Sequence, residues 1–345
     1  MDRRDFIRTT GAVVATGAMV SSALGQTLPD RRIRVGFAAH SIDLQALFGQ
    51  LREGFRGTLD EAGLDYEYVE AAPNTSSDHA GMLSILENMA AQQPDYVLVG
   101  PTSLELNEPG LRLIAESGAK LLMTDYVRPE EGVSYDDAVL NWVVYSHEEM
   151  GFKAGEWLGD QMRAKGIRNP KVVMLWGPAA SEISVQRGEG AIAGMNSHDD
   201  LDFEIVYEAN ADFDRRLAYD ETERAIAAYD FDAIMCLNSY MSVSASNAIA
   251  ANNRSGDIVV CGMGGTIDEL QGIALGEIGV APFRDPRSMG RASAQALLAH
   301  LTGRESEIER TVYAEIPVLE NAYRIRKSVP REMFDVADFL NDHLG

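Results

Sequence analysis

Residues 94–125 read PDYVLVGPTSLELNEPGLRLIAESGAKLLMTD, and this stretch decides the fold class. Tyr96–Gly100 and Lys120–Thr124 are short, continuous apolar runs, which are typical of strands buried on both faces of a parallel sheet. Leu104–Ser117, between them, is predicted to be a helix. A strand, a helix and a second strand in this order form one unit of a doubly wound parallel sheet.

The same alternation extends in both directions from this unit. Upstream, the predicted elements are Ile33–Ala39, Leu44–Ala62, Tyr66–Ala71 and Ser77–Ala91. Downstream, a second series follows the polar stretch 129–137, and it ends with a long helix and a late strand. Its strands and helices are predicted at Trp142–Tyr145, His147–Lys165, Lys171–Trp176, Ser181–Asn196, Phe203–Ala209, Arg215–Ala228, Ala233–Leu237, Met241–Asn252, Ile258–Gly262, Thr266–Leu275, Ile278–Ala281, Ser288–Thr302 and Val312–Leu319.

Composition and charge restrict the class of protein. The formal net charge is −23, so nucleic acid and an anionic membrane surface would both be repelled. With 46% hydrophobic residues the chain has enough apolar material for packed cores. A mature chain of about 320 residues exceeds the size at which one core usually keeps growing, so we expect two domains.

The N-terminus predicts export. Asp2-Arg3-Arg4-Asp5-Phe6-Ile7-Arg8 resembles a twin-arginine signal. The apolar stretch Thr10–Val20 is shorter than the roughly 20 residues that span a membrane. Ala23-Leu24-Gly25 supplies small residues before a predicted cleavage between Gly25 and Gln26. We therefore expect residues 1–25 to be removed and the mature protein to be soluble.

The sequence contains no recognisable catalytic motif. It has no H-E-x-x-H pair, no G-x-S-x-G elbow and no phosphate-binding loop, and Gly262-Met263-Gly264-Gly265 does not complete G-x-G-x-x-G. We therefore expect a protein that is not an enzyme and that holds no metal and no cofactor. Cys236 and Cys261 lie in apolar, strand-like runs, and the sequence leaves open whether they are free thiols or a disulfide.

Ligands of such folds bind at the carboxyl ends of the parallel strands. This rule selects the segments after Ala39, Gly100, Thr124, Trp176, Ala209, Leu237 and Gly262. The first of them is His40-Ser41-Ile42-Asp43-Leu44-Gln45, and Phe48 lies one turn further on. Hydrogen-bonding groups beside an aromatic ring suit a polyol, whose hydroxyls and C–H surface need both. A helix cap at Asp43 and a core position for Phe48 are the alternatives.

Five motifs, in order, resemble the type I periplasmic binding proteins, and specifically the ribose-binding and related monosaccharide-binding group. They are distributed through most of the mature chain and are Pro94–Thr102, Gly118–Asp125, Arg187-Gly188-Glu189-Gly190, Ala211-Asp212-Phe213-Asp214-Arg215 and Asp285-Pro286-Arg287-Ser288-Met289-Gly290. The resemblance implies an α/β fold of two doubly wound parallel-sheet lobes. It also implies three hinge crossings, which we place near Asn141–Trp142, Pro282–Arg284 and Thr311–Val312.

These crossings divide the chain into an N-terminal lobe and a C-terminal lobe. The N-terminal lobe is expected to contain residues 31–141 and 285–311, and the C-terminal lobe residues 142–284 and 312–345. Ser288–Thr302 would then be a late helix of the first lobe. The resemblance also implies a monomer in the periplasm.

The resemblance implies ligand contacts from both lobes. Gln45, Phe48, Asp125, Arg187, Phe213 and Asn238 match contact positions of the family, Met263 would form the floor, Arg284 lies at a hinge crossing, and His40 and Ser41 are further candidates. Structural alternatives remain open for several of them. They are a turn carboxylate at Asp125, a surface ion pair of Arg187 with Glu182 or Glu189, core positions for Phe213 and Met263, and an ion pair of Arg284 with Asp285.

Gly262–Leu270 is also similar to the corresponding segment of the autoinducer-2 receptor, which has an arginine at the place of Arg284. The ribose type more often has glutamine there, and aspartate in place of Gly264. We therefore expect a sugar-like ligand rich in acceptors, such as a sugar acid, a ketose or a hydrated diketone furanose. The leading hypothesis is a solute-binding protein for an ABC importer's permease and ATPase; the alternative is a receptor acting on a sensor kinase.

Overall fold

The computed structural model describes residues 28–40, 42, 47–75, 77–126 and 128–344. The strands are β1 (Ile33–Ala38), β2 (Tyr66–Ala71), β3 (Tyr96–Val99), β4 (Lys120–Thr124), β5 (Val139–Val144), β6 (Lys171–Trp176), β7 (Glu204–Asn210), β8 (Ala233–Cys236), β9 (Val259–Cys261), β10 (Ala281–Pro282), β11 (Thr311–Tyr313) and β12 (Val318–Leu319). The helices are α1 (Leu47–Glu61), α2 (His79–Ala91), α3 (Leu104–Glu116), α4 (His147–Lys165), α5 (Glu182–Met195), α6 (Arg215–Ala228), α7 (Ser239–Ala251), α8 (Ile267–Leu275), α9 (Pro286–Leu301), α10 (Ala322–Ser328) and α11 (Val336–Leu344).

The strands form two main parallel sheets. The first has six strands in the order β11-β5-β4-β3-β1-β2, and the second has four in the order β7-β6-β8-β9. The central strands β3 and β8 are buried along their whole length, as the continuous apolar runs predicted. This arrangement confirms the α/β fold class expected from the sequence.

Strand β5 differs from the sequence-based expectation. The sequence placed Trp142–Tyr145 at the start of the second series, whereas β5 lies entirely in the first sheet and pairs with β4 and β11. The chain therefore leaves the first sheet only after Val144. It passes from one sheet to the other at 145–146, 284–285 and 314–317; the lobe boundaries and their hinge role remain predictions.

The late strand predicted at Val312–Leu319 is two short strands. β11 pairs with β5 in the first sheet, and β12 pairs antiparallel with β10. Pro317 lies between them and has no N–H with which to continue a ladder, while its carbonyl accepts a bond from the Phe283 N–H at 2.8 Å. The chain changes partners here, so one continuous strand is impossible.

Glycines set the close packing of two helix pairs. A Cβ at Gly155 of α4 would lie 2.1 Å from the Ala191 carbonyl oxygen of α5, and a Cβ at Gly290 of α9 would lie 2.0 Å from the Leu51 oxygen of α1. The helix backbones therefore touch directly at these positions. Through its contact with α1, the late helix α9 packs on the side of the first sheet.

Candidate ligand-binding site

A large cavity lies where the carboxyl ends of the two sheets face each other. Its volume is about 1010 Å³, at the upper end of what small-molecule sites occupy. Residues that follow β1, β2 and β4 line one side, and residues that follow β7, β8 and β9 line the other. Polar and aromatic side chains from both sheets therefore face one shared space.

Eight of the ten candidate residues lie around this cavity. They are His40, Phe48, Asp125, Arg187, Phe213, Asn238, Met263 and Arg284. The other two, Ser41 and Gln45, lie outside the described residues. The structure thus brings together residues that are up to 244 positions apart in the chain, and their contact with a ligand remains a prediction.

His40 and Phe48 form an aromatic corner on the first side. Their ring centroids are 5.0 Å apart. Phe48 packs directly over Gly100, where a Cβ would lie 2.4 Å from the ring. The Nε2 atom of His40 donates a hydrogen bond to the carbonyl oxygen of Pro101, because a carbonyl oxygen can only accept. The proton of the neutral ring is therefore on Nε2, and Nδ1 is left as an acceptor. Burial lowers the pKa of His40, which keeps the ring neutral near pH 7.

Asp125 is the buried acid of the cavity. It directly follows β4, has a φ of 76° in the left-handed region, and its side chain is buried. Its Oδ1 accepts hydrogen bonds from the Tyr145 hydroxyl and from Arg284 Nη1, the latter at 3.1 Å. Burial would raise the pKa of Asp125, but the charge of Arg284, with help from Arg187, outweighs burial and lowers it. The carboxylate is therefore ionised at neutral pH.

Arg284 contacts residues of the first sheet's side of the cavity and does not pair with Asp285, the next residue in the chain. Its guanidinium pairs with Asp125 and lies 4.6 Å from the ring centroid of Tyr145. The alternative partner, Asp285, instead accepts bonds from the backbone at the start of α9 and pairs with Arg291. Burial lowers the pKa of Arg284 to about 10, so it remains a cation.

Arg187 is buried, with 3% of its surface exposed. Its Nη1 donates to the Leu237 carbonyl at 2.7 Å, its Nε to His147 Nδ1 at 3.3 Å and its Nη2 to the Tyr145 hydroxyl at 3.4 Å. Burial lowers its pKa to about 10. Within the described part of the chain no carboxylate lies within 4.0 Å of this guanidinium, so the alternative surface ion pair with Glu182 or Glu189 does not form.

Asn238 and Phe213 shape the second side. Asn238 caps α7 by accepting from the Met241 N–H at 2.9 Å and donates to the Phe213 carbonyl at 3.3 Å. One amide hydrogen and one lone pair of Asn238 remain available. Phe213 has a φ of 58° and packs over Gly177, with its ring 5.9 Å from the Arg187 guanidinium. Met263 is fully buried and closes the floor.

Glu269 supports this floor from behind, and the sequence did not indicate it. It is fully buried, and its two oxygens accept from the Ser239 hydroxyl at 2.7 Å, the Ser242 hydroxyl at 2.6 Å and the Gly265 N–H at 2.7 Å. Burial raises the pKa of Glu269, although these three donors oppose the shift. The carboxylate fixes the loop 262–266 against α7 and does not face the cavity.

Tyr145 and His147 are the other residues that sequence reasoning missed. Tyr145 joins Arg187 to Asp125, and His147 Nε2 donates to the Asp125 carbonyl at 2.8 Å. Both directly follow β5. The strand-end rule would have selected them, had the segment after this strand been included among the candidates.

Three further features of the described residues concern the cysteines, metal binding and membrane spans. Cys236 and Cys261 are buried and unbonded, and burial raises the pKa of both thiols. No cluster of His, Cys, Asp or Glu among these residues has the arrangement of a metal site. In the same part of the chain, no helix is both long and apolar enough to cross a membrane.

Two parallel sheets whose strand ends face each other across a polar, partly aromatic cavity define a two-lobed ligand-binding protein. Residues 35–305 match the family described as the periplasmic binding protein domain, and the chain belongs to this family.

Comparison with curated and solved proteins agrees with this assignment. A ribose import binding protein from Haemophilus influenzae is 25% identical over 90% of this chain and 95% of its own length. An ABC transporter solute-binding protein from Actinobacillus succinogenes, solved with D-allose, has a TM-score of 0.72 at 18% identity, covering 84% of this chain and 98% of its own. A second such protein, from Bacillus halodurans and solved with myo-inositol, has a TM-score of 0.72 at 17% identity. The match covers 87% of this chain and 99% of that protein's chain.

Proposed function

We propose that this chain is a periplasmic solute-binding protein that captures a small sugar or sugar-like ligand and delivers it to an ABC importer. One observation carries the proposal: side chains from both sheets line a single cavity at the strand ends. A ligand in this cavity would contact both lobes, which is what a capture mechanism requires.

The relatives support the ligand class and the role in transport. The solved proteins of the same fold hold D-allose and myo-inositol, which are both small polyhydroxylated rings. The relative from Haemophilus influenzae is an import binding protein, which favours transport over the sensor-kinase alternative. Because the family consists of binding proteins, the proposal assigns no catalytic step to this chain.

The proposed contacts are the eight described candidates together with Ser41 and Gln45. Because β5 and β11 both lie in the first sheet, the lobe boundaries would fall at the three passages between the sheets, and the lobes would close about these passages. Because the ligand touches both lobes only in the closed state, it stabilises that state by this additional contact. The closed monomer would then dock to the permease of the importer, which its ATPase drives.

Export would precede this role. The pair Arg3-Arg4 and the small residues before Gln26 support a twin-arginine signal that is removed, leaving the mature protein in the periplasm. These residues lie outside the described part of the chain.

A thermal-shift screen over sugars, polyols and sugar acids tests the proposal. A ligand present at 100 times its dissociation constant adds about 2.7 kcal/mol to the free energy of unfolding, which is readily detected. If no compound of these three classes raises the melting temperature of the folded, mature protein, the proposed function is wrong.

Two variants test whether both sides bind the same molecule. Phe48→Leu and Phe213→Leu each remove an aromatic face and keep an apolar side chain. We expect each to weaken the binding of the hit by roughly threefold to tenfold, which corresponds to the free energy of one aromatic contact. Leu106→Ala, on an exposed position of α3 outside the cavity, is the control and should leave the affinity unchanged. An effect of only one phenylalanine would contradict binding between the lobes.

A further inference from the structure

The deep end of the cavity contains more hydrogen-bond donors than acceptors. The charged side chains of this end are Arg187, Arg284 and Asp125, which are all buried and lie near the neutral ring of His40. Two guanidinium groups bring ten N–H bonds in total, against two carboxylate oxygens. The charges of these three groups sum to +1.

Hydrogen bonds within the protein already occupy one of the two carboxylate oxygens, while several guanidinium N–H groups stay unpaired. Oδ1 of Asp125 already accepts from Tyr145 and from Arg284, which leaves Oδ2. Arg187 uses one N–H on each of its three nitrogens, so the second N–H of Nη1 and that of Nη2 remain. Within the described residues, Arg284 donates from Nη1 to Asp125, and its buried Nε has no hydrogen-bond partner. The groups left for a ligand are therefore mainly cationic donors.

On the second side Asp212 and Asp214 line the cavity, but neither forms an ion pair with Arg187. Burial lowers the pKa of Arg187, and the charge of Glu269, which lies behind the floor, partly opposes this shift. Both oxygens of Glu269, however, are occupied by hydrogen bonds from Ser239, Ser242 and Gly265. Gly264, which follows the floor residue Met263, has a φ of 135° and carries no side chain. No described carboxylate on this side is within ion-pair distance of Arg187.

A neutral polyol fits this inventory poorly. Each hydroxyl of a sugar is a donor as well as an acceptor, and its proton needs an acceptor in the protein. Among the described candidate residues at the deep end, the acceptors left are Oδ2 of Asp125, Nδ1 of His40 and the amide oxygen of Asn238. A buried donor without a partner costs about 1–3 kcal/mol, so a ligand group that only accepts is favoured.

We propose that the ligand is a small sugar acid, whose carboxylate binds between Arg187 and Arg284 while its C–H surface packs against Phe48 and Phe213. A carboxylate accepts two parallel bonds from a guanidinium, which matches the two N–H groups that Arg187 retains. This inference rests on the proposed function and specifies its ligand. The chain's net charge of −23 opposes the approach of an anion, so the buried arginines must supply the local attraction.

Matched pairs of compounds provide the test, with isothermal titration of the mature wild-type protein. The pairs are D-galacturonate with D-galactose, D-glucuronate with D-glucose, D-gluconate with D-glucitol, and D-ribonate with D-ribose. We expect at least one acid to bind ten times more tightly than its neutral partner. If a neutral member binds as tightly as its acid or more tightly, the proposed function stands and the sugar-acid inference is overturned. If neither class binds, both are overturned.

A charge-removing variant locates the interaction. Arg187→Gln keeps a polar side chain and should weaken binding of the acid by about tenfold to a hundredfold, the range for a hydrogen bond to a charged group. Arg224→Gln, on the exposed face of α6, removes the same charge far from the cavity and should have no effect. Circular dichroism verifies that both variants fold. Equal losses for the acid in both variants would overturn the inference, and the wild-type pairs decide the question if Arg187→Gln is unfolded.

Discussion

At the scale of single residues, His147 links the two charged groups of the cavity. Its Nε2 donates to the Asp125 carbonyl and its Nδ1 accepts from Arg187 Nε, so both nitrogens are satisfied by the neutral ring. Burial, and then the charge of Arg187, lower the pKa of His147 to about 4. A protonated ring would lose the bond from Arg187 and place two cations side by side.

This position predicts a loss of stability in mild acid. The pKa of His147 is lower in the folded state than its unfolded value of about 6.5, so the unfolded chain binds more protons below that pH. The free energy of unfolding should therefore fall by about 2 kcal/mol between pH 7 and pH 5 on account of this residue. Urea titrations of His147→Gln, whose neutral amide has both a donor and an acceptor, should show a flatter pH profile.

His343→Gln is the matched control for this experiment. His343 lies exposed near the C-terminus, stacked on Phe339, so its replacement should leave the wild-type pH profile unchanged. If His147→Gln keeps the full decrease between pH 7 and pH 5, another group causes the acid sensitivity.

The residues that the sequence identified correctly lie at strand ends or on family motifs. Asp125 and Asn238 follow apolar strands, and any parallel sheet brings such positions to one edge. Glu269 was missed for a physical reason: its role depends on two serines and a glycine that fold around it, and neither periodicity nor charge indicates that burial. The Asp125–Arg284 pair joins positions 159 residues apart, and the sequence proposed a different partner for Arg284.

At the scale of elements, the contact between α4 and α5 positions the site. Glycines at 151 and 155 face α5, and glycines at 190 and 194 face α4; a Cβ at each would lie 2.0–2.2 Å from a backbone oxygen of the other helix. A Cβ at Gly151 would meet the carbonyl oxygen of Arg187. The close approach of these two helices therefore holds Arg187 beside His147, which begins α4.

Gly155→Ala should separate the two helices. The added methyl group meets backbone atoms, which have no alternative position, so we expect a loss of about 1–3 kcal/mol in the free energy of unfolding. Gly57→Ala makes the same change in α1, where nothing lies within 4 Å, and should stabilise the protein by about 0.5–1 kcal/mol through helix propensity. Urea unfolding measures both, and equal effects of the two variants would refute the packing argument.

The elements themselves followed closely from the pattern of apolar residues. The sequence analysis did not predict the C-terminal helices α10 and α11. The other exceptions occur where the chain changes sheets, because pairing partners, and not local preference, decide those segments. β5 continues the first sheet through its pairing with β4, and the segment at Pro317 splits one expected strand into two. The two-residue strands β10 and β12 form by pairing with each other, so their own sequences give little indication of a strand.

At the scale of the whole molecule, the charge distribution sets one further expectation. The chain carries 53 acidic and 30 basic residues and six histidines, and many described ion pairs lie on the surface, where each contributes little. A net charge of −23 therefore destabilises the compact state by self-repulsion that such pairs do not cancel. Salt screens this repulsion more than it weakens the buried pair of Asp125 and Arg284.

The melting temperature should therefore rise with salt. Between 0.1 M and 1 M KCl the Debye length falls from about 10 Å to about 3 Å, which removes most repulsion between separated surface carboxylates. A reduction of 1 kcal/mol in this repulsion should raise the melting temperature of a chain of this size by about 1.5 °C. Differential scanning calorimetry measures the shift, and sucrose at equal osmolality is the control, since it acts by exclusion and leaves charge unscreened. A melting temperature that falls or stays constant as KCl increases would show that repulsion among the acidic residues does not limit the stability of the fold.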